Sequence, residues 1–136
     1  LAVTDTVIAA QNAVVAAESF GLGSCYIGDI MENCEEQRRL LCLPDYVFPV
    51  AMLVFGWPTE QQKQRPKPER CEQKHIVHEN TYRDMDGEEL REMFAYKCKN
   101  RTYEEWCNAF CNRKYNSDFS KEMSRSVEKY LEQFGL

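Results

Sequence analysis

No stretch of this chain of 136 residues is apolar for long enough to cross a membrane as a helix. The longest apolar run, from Val47 to Trp57, is interrupted by Pro49. A basic stretch leading into an apolar one, the mark of a secretory signal, is also missing. Positive charge is in deficit. The 17 Lys and Arg against 22 Asp and Glu leave a net charge of −5. That balance excludes general affinity for nucleic-acid phosphates but leaves room for a local basic site. Internal repeats and low-complexity tracts are absent. The cysteines lack a framework, because seven is an odd number and no Cys-x-x-Cys occurs. Cys98 with Cys107-x-x-x-Cys111 offers no fourth metal ligand. Cys71, His75, His78 and Glu79 fall on chain expected to be extended, where their side chains do not converge. No metal is therefore expected, and the cysteines read as buried free thiols of a cytoplasmic protein. Asn100-Arg101-Thr102 matches a glycosylation acceptor, which matters only in a secreted protein.

What is present is a sequence of amphipathic and apolar segments, with 43% hydrophobic and 29% charged residues, as in a globular domain. Val3–Phe20 alternates Val3, Val7, Ile8, Val14, Val15 and Phe20 with alanines, and predicts a helix apolar around most of its circumference and hence buried. Thr4 or Asp5 is a candidate cap, and Gly21 suits the left-handed residue that ends it. Cys25-Tyr26-Ile27 then reads as a short strand arriving at Gly28, where the absent side chain admits a ligand to the backbone. Asn33 is a candidate cap for a helix that carries Leu40 and Leu41 and stops before Pro44. Residues 47–55 show no polar alternation and predict a strand covered on both faces. Residues 59–70 predict a polar, basic surface connector, and Ile76-Val77 a short strand. Helices follow from Asp86 or Gly87, over Tyr103 to Cys111, and from Ser117 or Ser120 with the stripe Phe119, Met123, Val127, Tyr130, Leu131 and Phe134. The pattern is α+β. Leu1 leads straight into an apolar helix, so the chain is expected to continue a preceding half that lies outside this sequence.

Several of these segments carry a resemblance. Ile8-Ala9-Ala10-Gln11-Asn12-Ala13 and Ala16 to Asp29 look like the second half of an FMN-dependent nitroreductase. The likeness continues through Leu43 to Val50, Phe55-Gly56-Trp57-Pro58, Arg65 to Arg70, and Ile76-Val77-His78-Glu79-Asn80. Residues 84–136 resemble the helical extension of a bacterial subset of that family, and residues 1–83 the C-terminal portion of its FMN-binding core. The resemblance implies a three-layer α/β/α core and a homodimer. It further implies an NAD(P)H oxidoreductase that passes hydride through FMN to a nitro compound, quinone or similar small-molecule acceptor. The alternative is a non-catalytic flavin-binding or dimerisation module.

The same resemblance assigns residues. Tyr26, Ile27, Gly28 and Asp29 match the segment that borders the isoalloxazine ring. Many relatives have glycine at the position of Asp29. Lys67 and Arg70 are most similar to the family's Lys-Pro-Arg phosphate contacts. One extra residue separates them here, so Arg65 stays open as an alternative. Cations on a proline-stiffened segment suit that task, since less freedom is lost when they engage a phosphate. No catalytic side chain is expected, because in such enzymes the flavin carries the redox step.

Overall fold

The structure is a computed structural model, and it describes residues 1–135. Packing divides the chain into two units. Leu1–Arg65 group with the segment from Ser117 onward, and Pro66–Asn116 form the second unit.

In the first unit, α1 (Ala2–Ser19) forms where alanine dominates, the strongest helix former. It stops at Gly21, whose φ of 78° is the left-handed conformation expected there, with the Gly21 N–H donating to Glu18 O. Thr4 and Asp5 lie inside the helix rather than at its cap. The helix was expected to be buried, yet none of its residues is. Val7, Ile8 and Val15 keep 43, 57 and 58% of their surface exposed. Its apolar circumference is real, but the described residues cover it only in part, leaving Ala10, Val14 and Ala17 half-buried and the rest exposed.

Strand β1 (Gly23–Ile27) pairs antiparallel with β2 (Met52–Gly56), in register from Gly23 opposite Gly56 to Ile27 opposite Met52. The sheet has these two strands alone among the described residues. The strand expected over residues 47–55 is thus shorter and shifted. Pro49 has no N–H to give a ladder, and residues 47–51 stay outside it. Nor is it covered on both faces, since only Leu53 of β2 is even half-buried.

The compact part of this unit lies between α2 (Cys34–Leu41) and α6 (Asp118–Leu131). Asn33 stands before α2 as expected, but with φ 52° and no side-chain cap. Helix α6 supplies the missing acceptors. Ser126 Oγ accepts from the Cys34 N–H at 2.9 Å, and Glu122 Oε1 from the Asn33 N–H at 3.2 Å. Arg125 grips both Glu35 oxygens at 2.9 and 2.7 Å and donates from Nε to Glu122 at 2.8 Å. Beneath this clamp Tyr130 is buried, edge-on to Phe48 with ring centroids 5.3 Å apart, and donates to Cys34 O. The guanidinium holds the Glu35 and Glu122 carboxyls at about 2, far below their usual range. Burial pushes the Cys34 thiol up. Cys34 is the one cysteine that is fully buried among the described residues. Cys25, Cys42 and Cys111 are exposed, against the expectation of buried thiols. A short helix, α3 (Glu60–Gln64), capped by the Thr59 side chain, occupies part of the stretch expected as connector.

In the second unit, α4 (Gly87–Cys98) begins with a capping box: Asp86 accepts from the Glu88 and Glu89 N–H groups, and Glu89 from that of Asp86. Helix α5 (Tyr103–Lys114) starts on an equivalent box at Thr102 and Glu105. Phe94, Trp106 and Phe110 stack at 4.9 and 5.3 Å, the last two at the expected i, i+4 spacing. Ile76 and Val77 form no strand. They follow a 3-10 turn at Gln73–His75 and are largely exposed, and among the described residues no strand pairs with them. Among the described residues no helix is long and apolar enough to cross a membrane.

Candidate functional site

The ring-edge segment expected from the resemblance is continuous and open. Tyr26 and Ile27 close β1, Gly28 follows at φ −79°, and Asp29 starts a 3-10 turn through Met31. Gly28 O and Asp29 O accept from the Met31 and Glu32 N–H groups, each at 3.0 Å. The first N–H groups of such a turn have no acceptor inside it. The backbone here is one that glycine leaves bare: a Cβ at Gly28 would meet Met31 Cε at 3.8 Å and nothing nearer. The Tyr26 hydroxyl reaches Gln11 Oε1 at 3.3 Å, tying this segment to α1. Asp29 is exposed.

The basic segment begins where α3 ends. Arg65 follows α3 in extended conformation, and residues 66–72 continue without regular structure. Arg65, Lys67 and Arg70 are exposed, and none has a side-chain partner among the described residues. Nearby Lys63 behaves otherwise, bonding to Glu60 at 2.6 Å. Unpaired cations on a stiff segment are what an anion can engage without first breaking an ion pair. Arg65 belongs to the first packing unit with the ring-edge segment, whereas Lys67 and Arg70 belong to the second.

One feature of the second unit went unread in the sequence. Lys97, Cys98, Lys99, Asn100, Arg101 and Trp106 line a groove of about 430 Å³. A smaller one of about 210 Å³ shares Arg101 and Trp106 with it and adds Phe110 and Arg113. Arg113 lies over the Phe110 ring at 5.6 Å and Lys97 over Tyr96 at 5.0 Å. None of these four cations is in an ion pair among the described residues, so an aromatic floor is ringed by uncompensated positive charge in an acidic chain. The alternation Lys97-x-Lys99-x-Arg101 ahead of Trp106 is the signal that could have found it.

The cluster of Cys71, His75, His78 and Glu79 does not assemble. His75 is buried in its turn, while His78 is exposed and packs against Tyr82 at 4.8 Å. Among the described residues no group of three His, Cys, Asp or Glu side chains is placed to hold a metal ion.

The model of the nitroreductase family matches residues 1–57. An oxygen-insensitive NADPH nitroreductase of Salmonella typhimurium is 38% identical over 113 residues, covering 78% of this chain and 46% of that protein. An FMN reductase [NAD(P)H] of Bacillus subtilis is 33% identical, over 95% of this chain and 47% of its own length. The solved structure of B. megaterium NfrA1 superposes with a TM-score of 0.72 at 34% identity, over 96% of this chain and 55% of that one. The chain belongs to the nitroreductase family and has its α+β fold. It spans about half the length of the curated relatives it matches.

Proposed function

We propose that this chain is part of an FMN-dependent NAD(P)H oxidoreductase that delivers hydride to nitro compounds, quinones or similar small acceptors. The observation that carries the reading is the set of unpaired cations at Arg65, Lys67 and Arg70 on a proline-stiffened segment. Names among the relatives, including an FMN reductase and an NADPH nitroreductase, support it. The residues present fit the cofactor: cations free of carboxylates suit a phosphate, and the bare backbone at Gly28 suits a flat ring edge. FMN, when bound, supplies a ring that accepts hydride from a nicotinamide and yields it to an acceptor.

The chain's own residues bind and orient. Lys67 and Arg70, with Arg65 as the other candidate, hold the phosphate. Tyr26 and Ile27 flank the ring, and the N–H at Gly28 or Asp29 donates to its edge. A donor at that edge stabilises charge that develops during transfer. The Asp29 carboxylate stands near that donor and disfavours a negatively charged acceptor. The groove at Lys97, Lys99, Arg101 and Trp106 suits the phosphate-bearing end of the nicotinamide donor, since its cations meet phosphate and its indole meets adenine. Residues 1–83 carry the core portion and 84–136 its helical extension. The protein works in the cytoplasm as a homodimer, with α1 at the subunit interface and obligate-class burial of more than roughly 2,000 Å² in total.

The test is the cofactor itself. Protein purified without added flavin is expected to be yellow and to release FMN on denaturation, identified by chromatography against riboflavin and FAD. Addition of NADPH should bleach it. A colourless preparation that takes up no FMN, yet still self-associates, would replace this reading with that of an interaction module.

A further inference from the structure

Lys67 and Arg70 sit on a segment without regular structure, exposed and without side-chain partners among the described residues. Pro66 and Pro68 stiffen that segment by fixing their own φ angles, but they cannot aim it. A stiff segment still swings about its ends, so its aim depends on what holds them. The downstream end is the 3-10 turn at Gln73–His75, in the same packing unit. The Ile76 and Val77 N–H groups donate to Gln73 O at 3.0 and 2.9 Å and close that turn.

Contacts with α4 hold the turn. Lys74 Nζ donates to Glu92 Oε1 and lies 3.5 Å from Glu72 Oε2. Further on, Arg83 grips both Glu89 oxygens at 2.8 and 2.7 Å. Glu89 and Glu92 stand three positions apart on one face of α4, so the chain between Lys74 and Arg83 is pinned to that face at each end. Arg83 holds the Glu89 carboxyl at about 2, and Lys74 holds that of Glu92 below its usual range, with His75 adding to both. His75 is 5% exposed and is the one fully buried residue of the second unit among those described. Lys74 also differs from the cations upstream of it. Its charge is engaged by carboxylates, whereas those of Lys67 and Arg70 are not.

We propose that Lys74 and His75 are positioning residues: with Glu92 they fasten the downstream end of the phosphate-binding segment to α4 and so aim Lys67 and Arg70 at the phosphate. The phosphate in this statement rests on the flavin reading above, whereas the anchor rests on contacts inside the second unit. Neither residue touches the phosphate. The sign of one substitution separates this role from a direct contact. A carboxylate near a bound anion repels it, so removing Glu92 should tighten the anion's binding if charge alone matters. Removing it should weaken that binding if Glu92 holds the segment in place.

The experiment titrates FMN and riboflavin into the flavin-free protein, wild type and variants, and follows flavin fluorescence. Glu92→Ala and Lys74→Ala should each weaken FMN binding about two- to five-fold, a size set by a pair whose side chains are both about half exposed. The double variant should lose no more than either alone. His75→Ala, which empties a buried position, should cost about ten-fold. Lys74→Arg keeps the ion pair and should bind FMN as the wild type does. Riboflavin binding should stay unchanged throughout. A second arm needs no flavin: Glu92→Ala should speed hydrogen exchange of the Ile76 and Val77 amides at least about three-fold, with the amides of α5 little changed. Glu92→Ala that leaves FMN binding unchanged or tightens it would overturn the proposal, as would equal weakening of FMN and riboflavin. Unchanged exchange at Ile76 and Val77 would also overturn it. A wild type that takes up no FMN would sink the functional reading, and the exchange arm would still decide whether Glu92 holds the turn.

Discussion

The two halves of the first packing unit solve opposite problems. Between α2 and α6 the chain closes on itself. Backbone donors at the start of α2 are met by Ser126 and Glu122, more than eighty positions away in sequence, and Tyr130 fills the space beneath. Around α1 and the ribbon the described residues show the opposite: no residue of the apolar helix is buried, and the sheet stops at two strands. The difference teaches where autonomy ends in this molecule. The clamp is polar and closed by residues of the chain itself, whereas α1 and the ribbon keep apolar side chains exposed. In the reading proposed here, that second, more exposed region also carries the flavin edge.

The sharpest way to break this contrast is to empty both regions equally. Tyr130→Ala removes a buried aromatic ring and is expected to cost about 3–5 kcal/mol, read by urea denaturation. Ile8→Ala removes a side chain that is already in water, and in the isolated chain should change stability by no more than ~0.5 kcal/mol. Equal losses would mean that α1 is covered in solution by the chain itself. A smaller effect is expected from Ser126→Ala, which strands the buried Cys34 N–H at a cost of about 1–3 kcal/mol. Cys34 itself, whose thiol is pushed up by burial, should react with thiol reagents far more slowly than exposed Cys25 or Cys42 until that clamp is loosened.

Acidity gives the smallest and most selective probe. The Glu35 and Glu122 carboxyls sit at about 2 in the folded protein against 4.5 unpaired. Below 4.5 the unfolded chain therefore binds protons that the folded chain refuses. Their contribution is complete above about pH 4.5 and is lost as pH falls toward 2. Arg125 is half exposed, so water weakens the pairing and the effect stays modest. Arg125→Gln should flatten the fall in clamp stability across that window, measured by hydrogen exchange of α2 at several pH values. Exchange in β1 and β2 should show no matching change.

Local signals were legible, and long-range ones were not. The start of α4 at Asp86 and Gly87, the left-handed end of α1 at Gly21 and the Trp106–Phe110 pair each rest on residues a few positions apart, and each stands where it was expected. Asn33 failed as a side-chain cap because its acceptors come from α6, which no local pattern announces. Residues 47–51 failed as strand because Pro49 outweighs their apolar character, and Ile76-Val77 because two β-branched residues do not supply an edge to pair with. The burial expected of α1 was not met: its apolar circumference was legible, but none of its residues is buried. At the candidate site, Gly28 was legible through its bare backbone. The groove at Lys97–Arg101 was not, since its cations gain meaning only when α5 sets Trp106 beside them.

The central claim, that this chain grips the phosphate of a flavin, is tested most directly by comparing FMN with riboflavin in the assembled protein. Two charge-assisted contacts to a phosphate are worth roughly 1.5–3 kcal/mol each. Arg70→Ala should therefore weaken FMN binding by about ten-fold to a hundred-fold and leave riboflavin, which has no phosphate, unaffected. Glu69→Ala, which removes a neighbouring negative charge, should leave FMN binding unchanged or slightly tighter. Selectivity that moved instead to Arg65→Ala would shift the register across Pro66 and Pro68 while keeping the claim. Equal weakening of FMN and riboflavin by Arg70→Ala, with Arg65→Ala and Lys67→Ala both without phosphate-selective effect, would contradict it.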